Sequence, residues 1–489
     1  MTIRPYFALN LALNLALNLA LTLALTLASV LHAAPASAAA ATRSCHLPGL
    51  EEPLRCITLS VPLDRSDPAS KNIPLHVTVA PAFREAGRGD PLFILAGGPG
   101  QAGSDVLTLA TTAFRRVRAT RDIVFIDQRG TGLSGKLDCE TTPAQEIMTE
   151  QELEAEVVAC IGRLKTNFGA YSTAAAAADL DSVRVALGYR QVNLWGGSYG
   201  TRLAQAYARA YPARVRSIIL DGVAAPDQVI PAGGRDGQRA LDALFRQCDE
   251  EAGCKKAFPQ IRQDFEVLSR RVADGKVTVN IADPRTSLPI RMPMTSARFL
   301  GTVHNILYAP GDSRRLPFLV HSALQGRWEP FMARRNVAAD FAADGSAAML
   351  LYLAVVCAED LPRLTPALRA EDASALTAPM LERLPYLCKA IDVAPVPAVA
   401  PTTIDAPVLM LSGALDPVTP PRRAEAAGKF MRHAQHLVVD NAGHGISQLG
   451  CTPRLLREFI DKPQQPVAAS CLKEIPVPGF QLGSAGPQP

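Results

Sequence analysis

The sequence predicts an α/β fold in which a mostly parallel sheet carries helices on both faces. Short apolar runs of strand length recur along the chain, and most gaps between them show the spacing of amphipathic helices. Uninterrupted apolar runs are typical of strands that are buried on both faces of a parallel sheet. The predicted strands cover residues 92–95, 123–126, 192–194, 217–220, 408–411 and 437–439.

One gap between predicted strands is much longer than the others and mostly helical. It runs from residue 225 to residue 401 and ends in a linker rich in alanine, valine and proline at 394–401. We interpret it as a lid or cap inserted into a core made of residues 39–224 and 402–489. Such an insertion covers the site at the strand ends and selects what can enter.

Composition limits the classes of partner. The chain has 489 residues, 48% of them hydrophobic, which is enough for a large core and an insertion. Its 50 basic and 46 acidic side chains give a net charge of +4, so no excess of positive charge is available for a phosphate backbone. Nucleic acid is therefore not an expected partner.

The first 38 residues have the pattern of an export signal. Arg4 precedes an apolar stretch that ends near Leu31, and Ala36-Ser37-Ala38 offers the small-x-small cleavage pattern. The stretch is long enough to span a bilayer instead, although three asparagines and the cleavage pattern favour removal. We expect a mature chain that starts near residue 39, lies in the periplasm or outside the cell, and has no membrane contact.

A candidate nucleophile lies on a predicted strand-to-helix turn. Strand 192–194 is followed by Gly196, Ser198 and Gly200, and then by a helical stretch that Pro212 ends. A Gly-x-Ser-x-Gly turn strains the backbone at its serine, so the residues two before and two after it must lack side chains. The Gly-x-Ser-x-Gly pattern alone is common by chance. Here the strand before it and the helix after it indicate a true nucleophile turn. Ser198 is the predicted nucleophile.

Nucleophilic serine chemistry also needs a base and an acid that orients the base. Asp416 lies in the loop after strand 408–411, and His444 stands between two glycines after strand 437–439. The order Ser, Asp, His along the chain is that of one known arrangement of such a triad. Asp221, which follows strand 217–220, is the competitor for the acid. Of the other histidines, His304 lies within a helical pattern and is not a candidate for the base.

The negative charge that develops on the substrate oxygen needs two backbone N–H donors. One comes from the residue after the nucleophile, which is Tyr199. The other comes from an earlier strand end, and strand 92–95 leads into the glycine-rich loop at 96–100. We assign this donor to Gly98 because Pro99 has no N–H.

A second glycine-rich segment, at residues 130–136, imitates a nucleotide-binding loop. Leu137 stands where a P-loop needs Ser or Thr for magnesium, and no amphipathic helix follows to hold a phosphate. Nucleotide binding is therefore not expected. We interpret Asp127 and Arg129, just before this segment, as an ion pair that braces the loops beside the site.

Taken together, these motifs resemble the α/β-hydrolase superfamily. The residues that carry the resemblance are Gly97-Gly98-Pro99-Gly100, the segment 127–134, Gly196-Gly197-Ser198-Tyr199-Gly200, Asp416 and Gly443-His444. More narrowly, the chain is similar to the secreted tripeptidyl-aminopeptidase and prolyl-iminopeptidase group of serine exopeptidases, from Cys45 to the last cysteines. Prolyl iminopeptidases usually carry histidine where Ala96 stands, which favours the tripeptidyl type.

The resemblance implies five disulfides among the ten cysteines, an even number in a chain predicted to be exported. The pairs that resemble the family's pairing are Cys45 with Cys56, Cys139 with Cys160, Cys248 with Cys254, Cys357 with Cys388, and Cys451 with Cys471.

The resemblance also implies an acidic subsite, since relatives use acidic residues near the lid to hold a peptide's free α-amine. Glu359 and Asp360 are the candidates, and the alternative is that they cap or solvate a helix end. The implied reaction is hydrolysis of short peptides at a free N-terminus through an acyl-enzyme, with no metal or organic cofactor. A carboxylester hydrolase remains the main alternative, and a non-catalytic binding protein of this fold is disfavoured because all three triad positions are filled.

Overall fold

The computed structural model describes residues 42–84, 89–140, 142–282, 287–340, 347–373 and 376–486. Nine of the strands form one sheet with the order β1-β2-β3-β5-β4-β6-β7-β10-β11, and β8 pairs with β9 in a separate two-stranded sheet. The strands are β1 (Thr42–Cys45), β2 (Leu54–Pro62), β3 (Asn72–Ala80), β4 (Leu92–Leu95), β5 (Ile123–Ile126), β6 (Val192–Gly197), β7 (Val215–Asp221), β8 (Thr278–Ala282), β9 (Pro289–Pro293), β10 (Val408–Gly413) and β11 (Ala434–Val439).

All six predicted strands are present, and the pairs β5-β4, β4-β6, β6-β7, β7-β10 and β10-β11 are parallel. Every residue of β4 and β5 is buried, as expected for strands covered on both faces. The α/β prediction is therefore confirmed. Because parallel strands share a direction, the loops after β4, β6, β7, β10 and β11 emerge at one edge of the sheet.

The strand prediction missed the start of the sheet. Strands β1, β2 and β3 form an antiparallel extension, and β3 pairs antiparallel with β5. Strand β2 alternates between buried and exposed positions over much of its length, a weaker signal than the continuous apolar runs of the central strands.

The helices fill the gaps between the parallel strands and make up most of the insertion. They are α1 (Arg115–Arg118), α2 (Glu150–Arg163), α3 (Thr173–Ala186), α4 (Tyr199–Ala210), α5 (Gly234–Glu250), α6 (Ala252–Ala257), α7 (Ile261–Ala273), α8 (Ser296–Ile306), α9 (Pro310–Ser313), α10 (Leu316–Leu324), α11 (Glu329–Asp340), α12 (Met349–Val355), α13 (Pro366–Asp372), α14 (Ala378–Ile391), α15 (Pro421–Gly428) and α16 (Thr452–Asp461).

Among the described residues between β7 and β10, the regular elements are helices apart from the antiparallel pair β8-β9, which the sequence reasoning did not predict. This region has a hydrophobic core of its own, in which Phe265 and Phe331 both stack on Phe299. Phe480, from the C-terminal segment, is buried in the same core beneath the guanidinium of Arg314. The exact limits proposed for the insertion, 225 and 401, remain a prediction.

The five disulfides have the pairing that the family resemblance implied. Each links cysteines between 6 and 31 residues apart, so the crosslinks are local. One of them, Cys357 to Cys388, joins the turn that follows α12 to α14.

The expected ion pair between Asp127 and Arg129 is wrong. Arg129, 1% exposed, instead forms a two-pronged pair with Asp179 on α3, at 2.7 and 2.8 Å. Asp127 accepts hydrogen bonds from the backbone N–H groups of Ser104 and Leu133. Both side chains still brace loops near the sheet edge, but through partners distant in sequence that the local pattern could not reveal.

Within the part of the chain that the structure describes, no helix combines the length and apolar character that crossing a bilayer requires. The predicted signal segment and its cleavage position lie outside the described residues.

We expect Arg129→Met to destabilise the fold by about 3 to 5 kcal/mol, because it removes the two-pronged partner of the buried Asp179 carboxylate and leaves that carboxylate only Arg65, at 2.7 Å. The measurement is the guanidinium chloride midpoint of the oxidised chain. Arg432→Met is the matched control, since Arg432 pairs with Asp405 at the surface with 65% and 71% of the two side chains exposed. That control should cost under about 1 kcal/mol. Equal shifts in the two variants would contradict the structural role of Arg129.

Candidate active site

Ser198 occupies the sharp turn between β6 and α4 with φ +53° and ψ −122°, a conformation that side-chain-bearing residues rarely adopt. A Cβ on Gly200 would lie 2.0 Å from the carbonyl oxygen of Leu95, and one on Gly196 would lie 2.3 Å from that of Gly200. Only glycine permits these approaches. The turn therefore presents Ser198 at the sheet edge, half-buried, with the N-terminus of α4 behind it.

Asp416 and His444 lie together at the same edge. The Asp416 Oδ2 and His444 Nδ1 atoms are 2.8 Å apart. Asp416 is 2% exposed and also accepts hydrogen bonds from the N–H groups of Val418 and Thr419 and from Thr419 Oγ1, all at 2.8 Å. A proton on Nδ1 directed at this carboxylate leaves Nε2 of His444 as the acceptor that a general base needs.

The charges around His444 favour its protonated form. Burial by itself would lower the pKa of His444, but the charge and hydrogen bond of Asp416 outweigh it, and Asp221 adds to the effect, so the pKa is raised above 6.5. Burial opposes ionisation of Asp416, yet His444 and the donors of the loop keep the pKa of Asp416 below its ordinary value.

Ser198 and His444 flank the same dipeptide, Asp221-Gly222. The backbone N–H of Ser198 donates to the carbonyl of Asp221 at 2.9 Å. The imidazole lies against Gly222, where an added Cβ would be 3.0 Å from His444 Cε1. The Ser198 hydroxyl makes no hydrogen bond to another described residue, so it is available to a base and a substrate. The catalytic roles of these side chains stay a prediction.

The two predicted oxyanion donors flank Ser198. Tyr199 is the first residue of α4, where an N–H has no acceptor within the helix. Gly97 lies beside Ser198, since a Cβ added to Gly97 would be 3.1 Å from Ser198 Cβ, and its N–H donates to Gln101 Oε1. Gly98, at φ +105°, follows directly, and a side chain there would collide with the backbone of Gly100. This arrangement is compatible with Gly98 as the second donor.

The carboxylate that is hydrogen-bonded to the His444 imidazole belongs to Asp416 and not to Asp221. Its carboxylate instead accepts from Ile446 and Ser447, just after His444. The geometry therefore favours Asp416 over the competitor considered from the sequence.

Glu359 and Asp360 lie in a π-helical turn, Val356–Asp360, in which the N–H of Leu361 donates to the carbonyl of Val356. Glu359 accepts from the N–H and from the hydroxyl of Thr173, both at 2.7 Å. The same hydroxyl lies 2.8 Å from Tyr199 Oη. Glu359 is thus tied to the residue next to Ser198, and 14% of its side chain remains exposed.

Asp360 does not meet the expectation of direct substrate contact. Its side chain is fully buried and binds Arg202 at 2.9 and 3.1 Å and Arg363 at 2.6 Å. The N–H of Ile230 also donates to it, at 3.2 Å. With both oxygens occupied and no exposed surface, Asp360 anchors the turn that carries Glu359.

Sequence reasoning missed three residues around the triad. Thr419 donates to Asp416 and lies 3.1 Å from His444 Nδ1. The carbonyl of Tyr308, in the insertion, accepts the N–H of His444 at 2.7 Å, and the two rings are 5.0 Å apart. His304 contacts Tyr308 edge to face, and burial lowers the pKa of His304 to about 4. Of these three residues, only Thr419 could have been found from the sequence, because it lies three residues after the predicted acid Asp416.

Two segments of the chain match known families. Residues 90–250 match the family described as alpha/beta hydrolase fold, and residues 374–471 match the family described as TAP-like protein. The first segment contains Ser198 and the second contains Asp416 and His444.

Several curated bacterial proteins are similar over part of the chain. The chain is 32% identical over 221 residues to serine protease Hip1 of Mycobacterium tuberculosis, a match that covers 41% of this chain and 42% of that one. It is 28% identical over 248 residues to tripeptidyl aminopeptidase of Streptomyces coelicolor, with 44% and 46% covered. A third relative is proline iminopeptidase of Xylella fastidiosa, 30% identical over 140 residues, with 28% and 33% covered.

Each match spans less than half the length of the relative concerned. The names nevertheless agree on peptidases, and the family models agree with the sheet order and the serine turn described above. The chain therefore has the α/β-hydrolase fold, and over part of its length it is similar to proteins named as a serine protease and a tripeptidyl aminopeptidase.

Proposed function

We propose that this chain is an exported serine exopeptidase that releases residues or short peptides from the free N-terminus of a peptide. Ser198, His444 and Asp416 form the catalytic triad, and the N–H groups of Tyr199 and Gly98 form the oxyanion hole. The names of the similar proteins support a peptidase. The five disulfides support an oxidising compartment, as expected after export.

In this mechanism Ser198 Oγ attacks the scissile carbonyl carbon while His444 Nε2 accepts the hydroxyl proton. Asp416 holds the imidazole through Nδ1 and stabilises the imidazolium that forms. The negative charge moves to the carbonyl oxygen, between the two N–H donors. His444 then returns the proton to the leaving amine, and an acyl-enzyme remains on Ser198. A water molecule that gives its proton to His444 then attacks the acyl carbon. His444 returns this proton to Ser198 Oγ as the acyl group leaves.

Glu359 is the observation that favours an exopeptidase. Burial raises the pKa of Glu359, and the hydrogen bonds from Thr173 and the charge of Arg202, whose Nη1 lies 4.0 Å from Glu359 Oε2, only partly offset the cost of the Glu359 charge. A cation that entered the site would relieve that cost, and a peptide's α-ammonium is such a cation. The link from Glu359 through Thr173 to Tyr199 holds this carboxylate at a fixed place relative to the nucleophile.

The alternative is a carboxylester hydrolase, because the same triad and oxyanion hole cleave esters. An ester substrate has no use for a buried carboxylate in the subsite. The two functions therefore differ in their dependence on a free amine, and that difference can be measured.

We expect the purified mature chain to cleave peptide anilides with a free N-terminus and to cleave their N-acetylated forms much more slowly. Mono-, di- and tripeptide anilides, free and acetylated, are compared with simple p-nitrophenyl esters by kcat/KM. Ser198→Ala should lose the activity almost completely, as loss of the nucleophile does in such triads. A preference for acetylated peptides or esters would reject the exopeptidase, and full activity in Ser198→Ala would reject the mechanism.

The pH dependence follows from His444. The base must be neutral in the free enzyme to accept the Ser198 proton, so kcat/KM should fall as pH drops below the His444 pKa. Because that pKa is raised, the acidic limb should lie above 6.5. Asp416→Asn should move the limb to lower pH and reduce kcat by about 10⁴-fold. An acidic limb well below the ordinary histidine value would show that another group titrates.

Glu359→Gln should raise KM for free-amine anilides by about tenfold or more and leave kcat/KM for simple esters nearly unchanged. Glu371→Gln is the matched control, because Glu371 is a glutamate of the same insertion with 46% of its side chain exposed and paired with Arg235. The control should leave both substrate classes unchanged. Equal losses on anilides and esters in Glu359→Gln would mean that the residue supports the fold and not the α-amine.

A further inference from the structure

A second carboxylate at the catalytic edge has no part in the mechanism above. Asp221 ends β7 and is 3% exposed. Its two oxygens accept the N–H of Ile446 at 2.8 and 3.0 Å, and Oδ2 also accepts the N–H and hydroxyl of Ser447 at 2.8 and 2.6 Å. Its main-chain carbonyl accepts the N–H of Ser198 at 2.9 Å. One residue thus binds both the nucleophile turn and the loop that carries His444.

The hydrogen-bond donors around Asp221 favour its ionised form. Both backbone partners can only donate. The Ser447 hydroxyl receives the indole N–H of Trp195 at 2.9 Å, which directs the Ser447 proton toward Asp221. A protonated Asp221 could donate only to the second lone pair of Ser447 Oγ, which would turn the Ser447 proton away from Asp221. Burial raises the pKa of Asp221, while Ser447, Ile446 and His444 act against that rise.

We propose that Asp221 is a positioning residue that joins the nucleophile turn to the histidine loop and whose negative charge helps to hold the proton on His444. This inference rests on the proposed roles of Ser198 and His444. The main chain of Asp221 fixes the turn, and its side chain fixes the residues two and three places after the base. Gly222, the residue after Asp221, lies against the imidazole. The main-chain and side-chain hydrogen bonds of Asp221 therefore both help to set the distance between His444 and Ser198.

The charge of Asp221 can be compared with the charges of the other groups that face His444. From the β10 loop come Asp416, which is ionised, and the uncharged Thr419. From the insertion come His304, whose pKa burial lowers to about 4, and Tyr308, whose pKa burial raises above its ordinary value. Both are neutral near pH 7. Among the described residues, Asp416 and Asp221 are therefore the carboxylates whose charge favours the protonated imidazole.

The test measures the His444 pKa without substrate. ¹⁵N-histidine-labelled Ser198→Ala protein is titrated by NMR with and without Asp221→Asn, and His444→Gln assigns the signal. We expect Asp221→Asn to lower the His444 pKa by about half a unit to one unit, because one anion near the imidazolium is lost. In the Ser198 enzyme the same change should lower kcat by about 10- to 100-fold and leave KM within about twofold.

Two variants separate charge, geometry and stability. Asp179→Asn removes another buried carboxylate, the partner of Arg129, and should leave the His444 pKa unchanged. Ser447→Ala removes one donor and keeps the Asp221 charge, so kcat should fall by about three- to tenfold without a lower His444 pKa.

A His444 pKa that is the same in Asp221→Asn and Asp179→Asn would overturn the role of the charge. If Asp221→Asn does not fold, Ser447→Ala decides the positioning role, and an unchanged kcat would overturn it. Activity that survives in Ser198→Ala would instead reject the proposed mechanism, and the NMR titration would still report on Asp221.

Discussion

The close approach of α4 to the end of β4 is the constraint on which the rest of the site depends. At Gly200 the backbone comes so near the Leu95 carbonyl that any side chain would overlap it. Ser198, two residues before this contact, has a positive φ and lies beside the glycine loop that follows β4. The proposed oxyanion donors, base and acid lie on loops that leave the same edge of the sheet.

The insertion completes this edge as well as covering it. It contacts the glycine loop, where the N–H of Ala348 donates to Gly100, and the histidine loop, where the Tyr308 carbonyl accepts the N–H of His444. It also reaches the nucleophile helix through Glu359 and Thr173. The proposed base and the candidate subsite are therefore held by residues that lie between β7 and β10, so the insertion and the core build the candidate site together.

Much of this could be predicted from the sequence because it depends on local signals. Continuous apolar runs revealed the parallel strands, and glycines at positions 196 and 200 revealed the serine turn. The order of Ser198, Asp416 and His444 followed from strand ends. The disulfide pairing came from family resemblance alone. The interactions that the sequence reasoning missed join segments that are distant in the chain. Arg129 and its partner Asp179 are 50 residues apart, and Asp221 and Ile446 are 225 residues apart.

The π-helical turn at Val356–Asp360 contains one residue more than an α-helical turn would use. Each residue of an α-helix advances the chain by about 100° around the axis, so the additional residue sets the direction in which the following side chains leave the backbone. A deletion of one residue from this stretch would keep Glu359 in the sequence but turn its side chain away from Thr173. With Glu359 in the role proposed above, selectivity for the amine end of a substrate would depend on the number of backbone units as much as on their identity.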